Sequence, residues 1–250
     1  MTGLLIFDLD GTLIDSVPDL AVAVNAMLDE LGYEQVDESV VRGWVGNGSF
    51  KLVERALLSV SKTVNETTDG QITMATITTM GPLSDVVQMA HKVFLRHYGA
   101  LCDGELCDGE LCAMQTVPYV GVDDGLRRLR SAGFELALVT NKPMRFVPKL
   151  LGLFGWEDLF SVVFGGDSLP VKKPDPLPLL MVCERLGVNV CDAVMIGDSK
   201  NDVLAGQSAG MATVGLTYGY NYGEPITMSE PTWVFDEFGE LVEHLLSSIA

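Results

Sequence analysis

Leu4-Leu5-Ile6-Phe7-Asp8-Leu9-Asp10-Gly11-Thr12-Leu13 passes from an unbroken apolar run into an Asp-x-Asp pair followed by a glycine and a threonine. A short continuous apolar run reads as a β-strand buried on both faces, as in a parallel sheet covered by helices. Carboxylates at alternate positions repel one another unless a cation lies between them. Hard oxygen ligands of this kind suit Mg2+, which keeps several waters and accepts one or two carboxylates together with phosphate oxygens. The strand exit therefore reads as a metal-assisted site. A plainer reading makes it an acidic turn, with Gly11 supplying the bend and Asp10 capping the next helix.

Downstream of Pro118 the texture is a regular alternation of strand-like and helix-like runs. Helices are predicted over 121–132, 145–154, 176–186 and 201–209, and strands over 134–139, 161–164, 193–196 and 212–216. Trp233 to Phe235 adds a short last strand, and Asp236 caps a helix bearing Phe238, Leu241, Val242, Leu245 and Leu246. Such alternation is the signature of an α/β fold with a doubly wound, Rossmann-like parallel sheet. Between the first strand and this region the pattern is helical instead. Ser16 and Pro18 open a helix in which Leu20, Val24, Met27, Leu28 and Leu31 recur at helical spacing until Gly32, and further helices are expected around 37–46, 50–60 and 83–98. The threonine-rich Ser61 to Met80 stretch reads as a loop or weak helix. The expected organisation is a core of residues 1–14 and 116–250 interrupted by an inserted α-helical cap domain of residues 15–115.

Three more predicted strand ends carry polar residues. Val139-Thr140-Asn141-Lys142 offers a hydroxyl and backbone amides suited to phosphate oxygens, although Thr140 taken by itself reads better as a helix cap at a strand end. Lys172-Lys173-Pro174-Asp175-Pro176 brings lysines, and Met195-Ile196-Gly197-Asp198-Ser199-Lys200-Asn201-Asp202 brings two more carboxylates. In open α/β sheets ligands bind outside the carboxyl ends of the strands, where strand order reverses, and all four segments follow strands at that edge. Each is a weak signal alone. Carboxylates, a hydroxyl and a lysine at one edge are together what metal-assisted phosphoryl transfer requires.

These four segments resemble motifs I to IV of the haloacid dehalogenase superfamily, and the resemblance covers nearly the whole chain. Val17-Pro18-Asp19-Leu20, Trp44-Val45-Gly46-Asn47-Gly48 and Thr217-Tyr218-Gly219-Tyr220-Asn221-Tyr222-Gly223 look like its helically capped, bacterial phosphoglycolate phosphatase branch. The resemblance implies a Mg2+-dependent phosphomonoester hydrolase acting through an aspartyl-phosphate, with 2-phosphoglycolate as the first substrate to test. Asp8 would be the nucleophile and Asp10 the general acid and base. Thr140, the Asn141 amide and Lys173, chosen over Lys172 by alignment to the Lys-Pro pair, would stabilise the transferring phosphoryl group. Asp8, the Asp10 backbone carbonyl and Asp198 would hold Mg2+, with Asp202 in support. Asp10 argues against a dehalogenase, whose halide leaves unprotonated. The alternatives are a β-phosphoglucomutase-like phosphosugar mutase, another small-metabolite phosphatase of this superfamily, and a non-catalytic binding protein on the same fold. Trp44 to Gly48 would form a cap loop facing the core, or else a helix-to-helix turn with Trp44 packed inside the cap.

Composition narrows the partners. A net charge of −18, from 34 acidic and 16 basic residues, disfavours nucleic acid and anionic membrane surfaces. A small phosphorylated metabolite is the expected partner, brought in by local cations, for a monomer or homodimer. Neither a signal-peptide pattern nor an apolar stretch of spanning length occurs, so a cytoplasmic protein is expected. The five cysteines include Cys102, Cys107 and Cys112 in a tandem Leu-Cys-Asp-Gly-Glu repeat that fits no common zinc spacing and reads as a duplicated acidic turn in a loop. Cys183 and Cys191 read as small core residues.

Overall fold

In the computed structural model, which describes residues 3–63, 83–104, 106–107, 110–111 and 114–247, the chain divides into two compact units, Met1–Ser16 with Thr116–Ala250, and Val17–Gln115. In chain order, strands β1 (Leu4–Phe7) and β2 (Ile14–Asp15) precede helices α1 (Val17–Glu30), α2 (Glu38–Arg42), α3 (Ser49–Thr63) and α4 (Leu83–Asp103). A hairpin, β3 (Leu106–Cys107) and β4 (Glu110–Leu111), follows. Then come β5 (Val117–Pro118), α5 (Val122–Ser131), β6 (Glu135–Val139), α6 (Val147–Phe154), β7 (Val162–Phe164), α7 (Leu177–Leu186), β8 (Ala193–Gly197), α8 (Lys200–Ala209), β9 (Ala212–Leu216), β10 (Trp233–Phe235) and α9 (Phe238–Ser247).

The first unit is built on a six-stranded parallel sheet of order β10-β9-β8-β1-β6-β7. Strand β1 is central because its side chains are apolar on both faces and all of them are buried. Leu4 and Ile6 join Ala137, Val139, Met195, Leu179, Val182 and Ala205 on one face, beneath α7 and α8. Phe7 points the other way, its ring 6.1 Å from that of Phe238 on α9. Burying each such side chain stabilises the fold by roughly 1.5–3 kcal/mol, so polar residues are tolerated only where the strand ends. Phe7 is level with Leu138 on one side and Ile196 on the other. That register places Thr140 and Asp198 one step beyond Asp8 at the same sheet edge. Strand order reverses at β1, since β6 and β7 extend to one side and β8 to β10 to the other. The short β2 pairs antiparallel with β5.

The second unit is helical. Leu20, Ala23, Val24 and Met27 of α1 are buried, as are Val87, Phe94, Tyr98 and Leu101 of the neighbouring α4, where the rings of Phe94 and Tyr98 stack at 5.9 Å. The turn after α1 is clasped by Asn25, whose side chain exchanges two hydrogen bonds of 2.9 Å with the backbone of Val36.

Several local expectations change. The helix expected over 37–46 is only α2, because Gly46 and Gly48 adopt positive φ values of 124° and 84° in the loop that follows. The described part of the cysteine repeat is a small hairpin rather than a plain loop. The five-residue period sets Leu106 opposite Leu111 across it. Cys183 is buried in the core, but Cys191 is exposed, since it falls in a short helical turn between α7 and β8. Asp236 accepts the Thr217 hydroxyl at 2.6 Å. Of the Ser61 to Met80 stretch, residues 64–80 lie outside the described residues.

Candidate active site

At the carboxyl ends of β1, β6 and β8 the apolar strands give way to the polar segments read from the sequence. Gly11 takes a φ of 88°, and its backbone passes so close to the Asp198 carboxylate that a Cβ would overlap it. A glycine is needed on both counts. The turn closes by hydrogen bonds from Leu13 N to Leu9 O (2.9 Å) and Gly11 N to Ile14 O (2.9 Å). It returns Thr12 to the sheet edge, where its hydroxyl donates to Asp198 Oδ1 at 2.8 Å.

Asp8, Asp198 and Asp202 converge. All three are buried, and each offers a carboxylate oxygen within 4.8 Å of the others. Lys173, its side chain only 1% exposed, lies between two of them, with Nζ 2.9 Å from Asp8 Oδ1 and 2.6 Å from Asp202 Oδ1. The one ammonium is thus shared between the two carboxylates. Burial pushes the Asp8 carboxyl up to about 7 despite Lys173, with the Asp202 charge adding to the rise. Burial, followed by Asp202 and Asp8, raises Asp198 well above the carboxylate range, against hydrogen bonds from Tyr220 N and Thr12. For Lys173, burial favours the neutral amine, but the Asp202 and Asp8 charges outweigh it and raise its pKa. Three buried carboxylates facing one ammonium carry excess negative charge in a dry site, and that is what a hard divalent cation offsets. The donor set fits such an ion.

The other expected residues lie at the same edge. Thr140 N donates to Phe164 O at 2.9 Å, and the Thr140 hydroxyl oxygen accepts Lys142 N at 3.1 Å. Asn141 Nδ2 donates to the Lys173 carbonyl at 3.0 Å, tying the loop after β6 to the lysine loop. Asp202 sits in the first turn of α8, where its Oδ2 accepts Ser199 N (3.0 Å) and Ser199 Oγ (2.7 Å). Asp10 stands apart from the carboxylate cluster. Its carboxylate accepts Ser16 Oγ at 2.6 Å and Lys142 Nζ at 2.9 and 3.2 Å.

Sequence reasoning missed part of this set. The sequence pattern by itself assigns no role to Lys142, which directly follows Thr140 and Asn141, and a lysine so close to a strand end is the signal that points to it. Tyr220 N donates to Asp198 Oδ2 at 2.8 Å, and a Cβ on Gly219 would overlap the Asp198 side chain. The Thr217 to Gly223 segment thus buttresses a carboxylate from a distance that no spacing rule reveals. In the helical unit, Arg55 of α3 organises the Trp44 to Gly48 loop, donating to the Trp44 carbonyl at 2.5 Å and to Asn47 Oδ1 at 2.6 Å. Ser49 Oγ and His91 Nε2 are 2.8 Å apart beside it. Among the described residues no helix is long and apolar enough to cross a membrane.

Comparison with known proteins agrees with this geometry. Residues 2–210 match the family model for haloacid dehalogenase-like hydrolases. A Psychrobacter arcticus protein named phosphoglycolate phosphatase is 54% identical over 98% of this chain and 96% of its own. One of that name from Colwellia psychrerythraea is 44% identical over 95% and 94%. A crystal structure described as a predicted phosphoglycolate phosphatase from Haemophilus somnus superposes with a TM-score of 0.82 at 36% identity, covering 98% of both chains. With the acidic strand exit, the parallel sheet and the helical insertion all in agreement, the chain belongs to the haloacid dehalogenase-like hydrolases.

Proposed function

We propose that this hydrolase is a Mg2+-dependent phosphomonoesterase whose substrate is a small phosphorylated acid, with 2-phosphoglycolate the first candidate. The observation that carries the reading is the cluster of Asp8, Asp198 and Asp202 around Lys173, with Asp10 held just outside it. The substrate follows from the relatives named phosphoglycolate phosphatase, which match nearly end to end.

Asp8 attacks phosphorus, forming a bond from its carboxylate oxygen as the ester P–O bond breaks, and Asp10 gives its proton to the departing oxygen. Asp10, now a carboxylate, takes a proton from the water that attacks the aspartyl-phosphate. The P–O bond to Asp8 then breaks, and inorganic phosphate leaves with Asp8 restored. The Thr140 hydroxyl, the Asn141 backbone N–H and the Lys173 ammonium stabilise the charge that gathers on the phosphoryl oxygens. Asp8, the Asp10 backbone carbonyl and Asp198 would hold Mg2+, with Asp202 supporting from behind. When bound, the ion neutralises charge shared between carboxylates and phosphate. Core residues 1–14 and 116–250 supply this chemistry, and cap residues 15–115, through the Trp44 to Gly48 loop, select the leaving group.

The test separates the two aspartates. Asp8→Asn should abolish turnover of every phosphoester, because an amide is a poor nucleophile. Asp10→Asn should spare only the first half-reaction of an aryl phosphate, whose phenol departs without protonation, giving a phenol burst near one equivalent per enzyme and then slow turnover. Equal losses on alkyl and aryl esters with no burst would sink the assignment. Release of inorganic phosphate from a single phosphoester separates hydrolysis from transfer to a second sugar.

A further inference from the structure

Lys142 is a buried lysine of the sheet edge that forms an ion pair with Asp10. Its backbone is pinned on both sides, since its N–H donates to Thr140 Oγ1 at 3.1 Å and its carbonyl accepts Gly166 N at 2.7 Å. The ammonium therefore projects from a fixed base. It reaches Asp10 Oδ1 at 2.9 Å and Oδ2 at 3.2 Å, while Ser16 Oγ donates to Oδ1 at 2.6 Å. Oδ1 thus holds two short hydrogen bonds, and Oδ2 holds the single longer one. A carboxylate gripped in this way cannot turn about its last side-chain bond without losing a charged hydrogen bond in a largely water-free setting.

We infer that Lys142 is a positioning residue for Asp10: its two contacts, with the Ser16 hydroxyl, fix the carboxylate plane and leave Oδ2 as the oxygen that exchanges the proton. The inference rests on the reading of Asp10 as acid and base. It makes Lys142 neither a phosphate ligand nor a mere structural counter-ion, and each role has its own kinetic record. A displaced catalytic group lowers kcat, a lost ground-state ligand raises KM, and a group acting only through Asp10 contributes nothing once Asp10 is disabled.

The experiment compares Lys142→Met, Lys142→Gln and Lys142→Arg, each alone and combined with Asp10→Asn, using 2-phosphoglycolate and p-nitrophenyl phosphate with Mg2+. Thermal melts identify folded variants. If the Met variant does not fold, Gln and Arg carry the same comparison. The expected result for Lys142→Met is a fall in kcat on 2-phosphoglycolate of roughly 10²-fold, the cost of misplacing a catalytic group by about 1 Å, with KM little changed. The nitrophenol burst rate should be nearly untouched, Arg should recover part of the loss, and the change should add nothing to the burst or to the slow turnover of Asp10→Asn. An equal loss in both backgrounds overturns the proposal, because Lys142 then acts independently of Asp10. A raised KM and weaker inhibition by inorganic phosphate at unchanged kcat also overturn it, in favour of a phosphate ligand. Absence of aryl-ester selectivity in Asp10→Asn alone removes its foundation, and that result is read without any Lys142 variant.

Discussion

Lys173→Met tests the electrostatics of the site in the folded protein, apart from catalysis. Methionine keeps much of the stem's volume and removes the ammonium lying 2.9 Å from Asp8 Oδ1 and 2.6 Å from Asp202 Oδ1. Removing one member of a buried ion group costs about 3–5 kcal/mol, since the remaining charges are left unpaired out of water. At about 2–4 °C per kcal/mol for a protein of this size, the melting temperature should fall by roughly 6–20 °C in the presence of a chelator. The sign of the pH dependence is fixed by Asp8. Its folded pKa of about 7 lies above the ordinary 3.8, so between those values the folded state holds a proton that the unfolded chain releases. Stability from this group therefore falls as pH rises through that window. Lys173 opposes the rise, and without it the folded carboxyl titrates higher still. The deficit of the variant should thus be smaller near pH ~4 than above pH ~7. Urea unfolding followed by fluorescence is a suitable assay, because Trp156 is fully buried in the same unit. A loss under about 1 kcal/mol, or one equal at both pH values, would refute Lys173 as the counter-ion of the cluster.

Two further substitutions probe the surroundings. Gly219→Ala should move the Asp198 side chain that its Cβ would overlap. Mg2+ affinity by calorimetry should weaken about 10–100-fold, the usual effect of disturbing the support behind a ligand, and an unchanged affinity would remove Asp198 from the metal set. Arg55→Met should release the Trp44 to Gly48 loop and alter relative rates across a phosphoester panel while leaving the p-nitrophenyl phosphate burst intact. Constant relative rates would show that this loop does not choose substrate.

The sheet was legible in the chain because burial on both faces demands unbroken apolar strands, and Leu4 to Phe7, Leu136 to Val139 and Ala193 to Ile196 meet that demand. The helical insertion was legible because a 3.6-residue period persists wherever one helix face is buried, as in α1. The residue pattern alone also marked Asp8, Asp10, Thr140 and Asp198, since a buried strand ends in polar residues only where something there uses them, whereas Lys173 was singled out from Lys172 by the family resemblance of its Lys-Pro pair. Sequence could not say which of these groups meet. Contacts such as Tyr220 N to Asp198, Lys142 to Asp10 and Lys173 to both Asp8 and Asp202 join residues far apart in the chain. Their distances come from the parallel register of β1 between β6 and β8 and from the loops folded over that edge. The exposure of Cys191 was hidden for the same reason: apolar neighbours in sequence do not decide which way a turn faces. Local pattern determined the elements and the residue types at their ends, because backbone periodicity and burial act over a few residues. Pairing, protonation and support of the carboxylates were decided by tertiary structure, because charge interactions depend on separation in space and on the water that folding excludes.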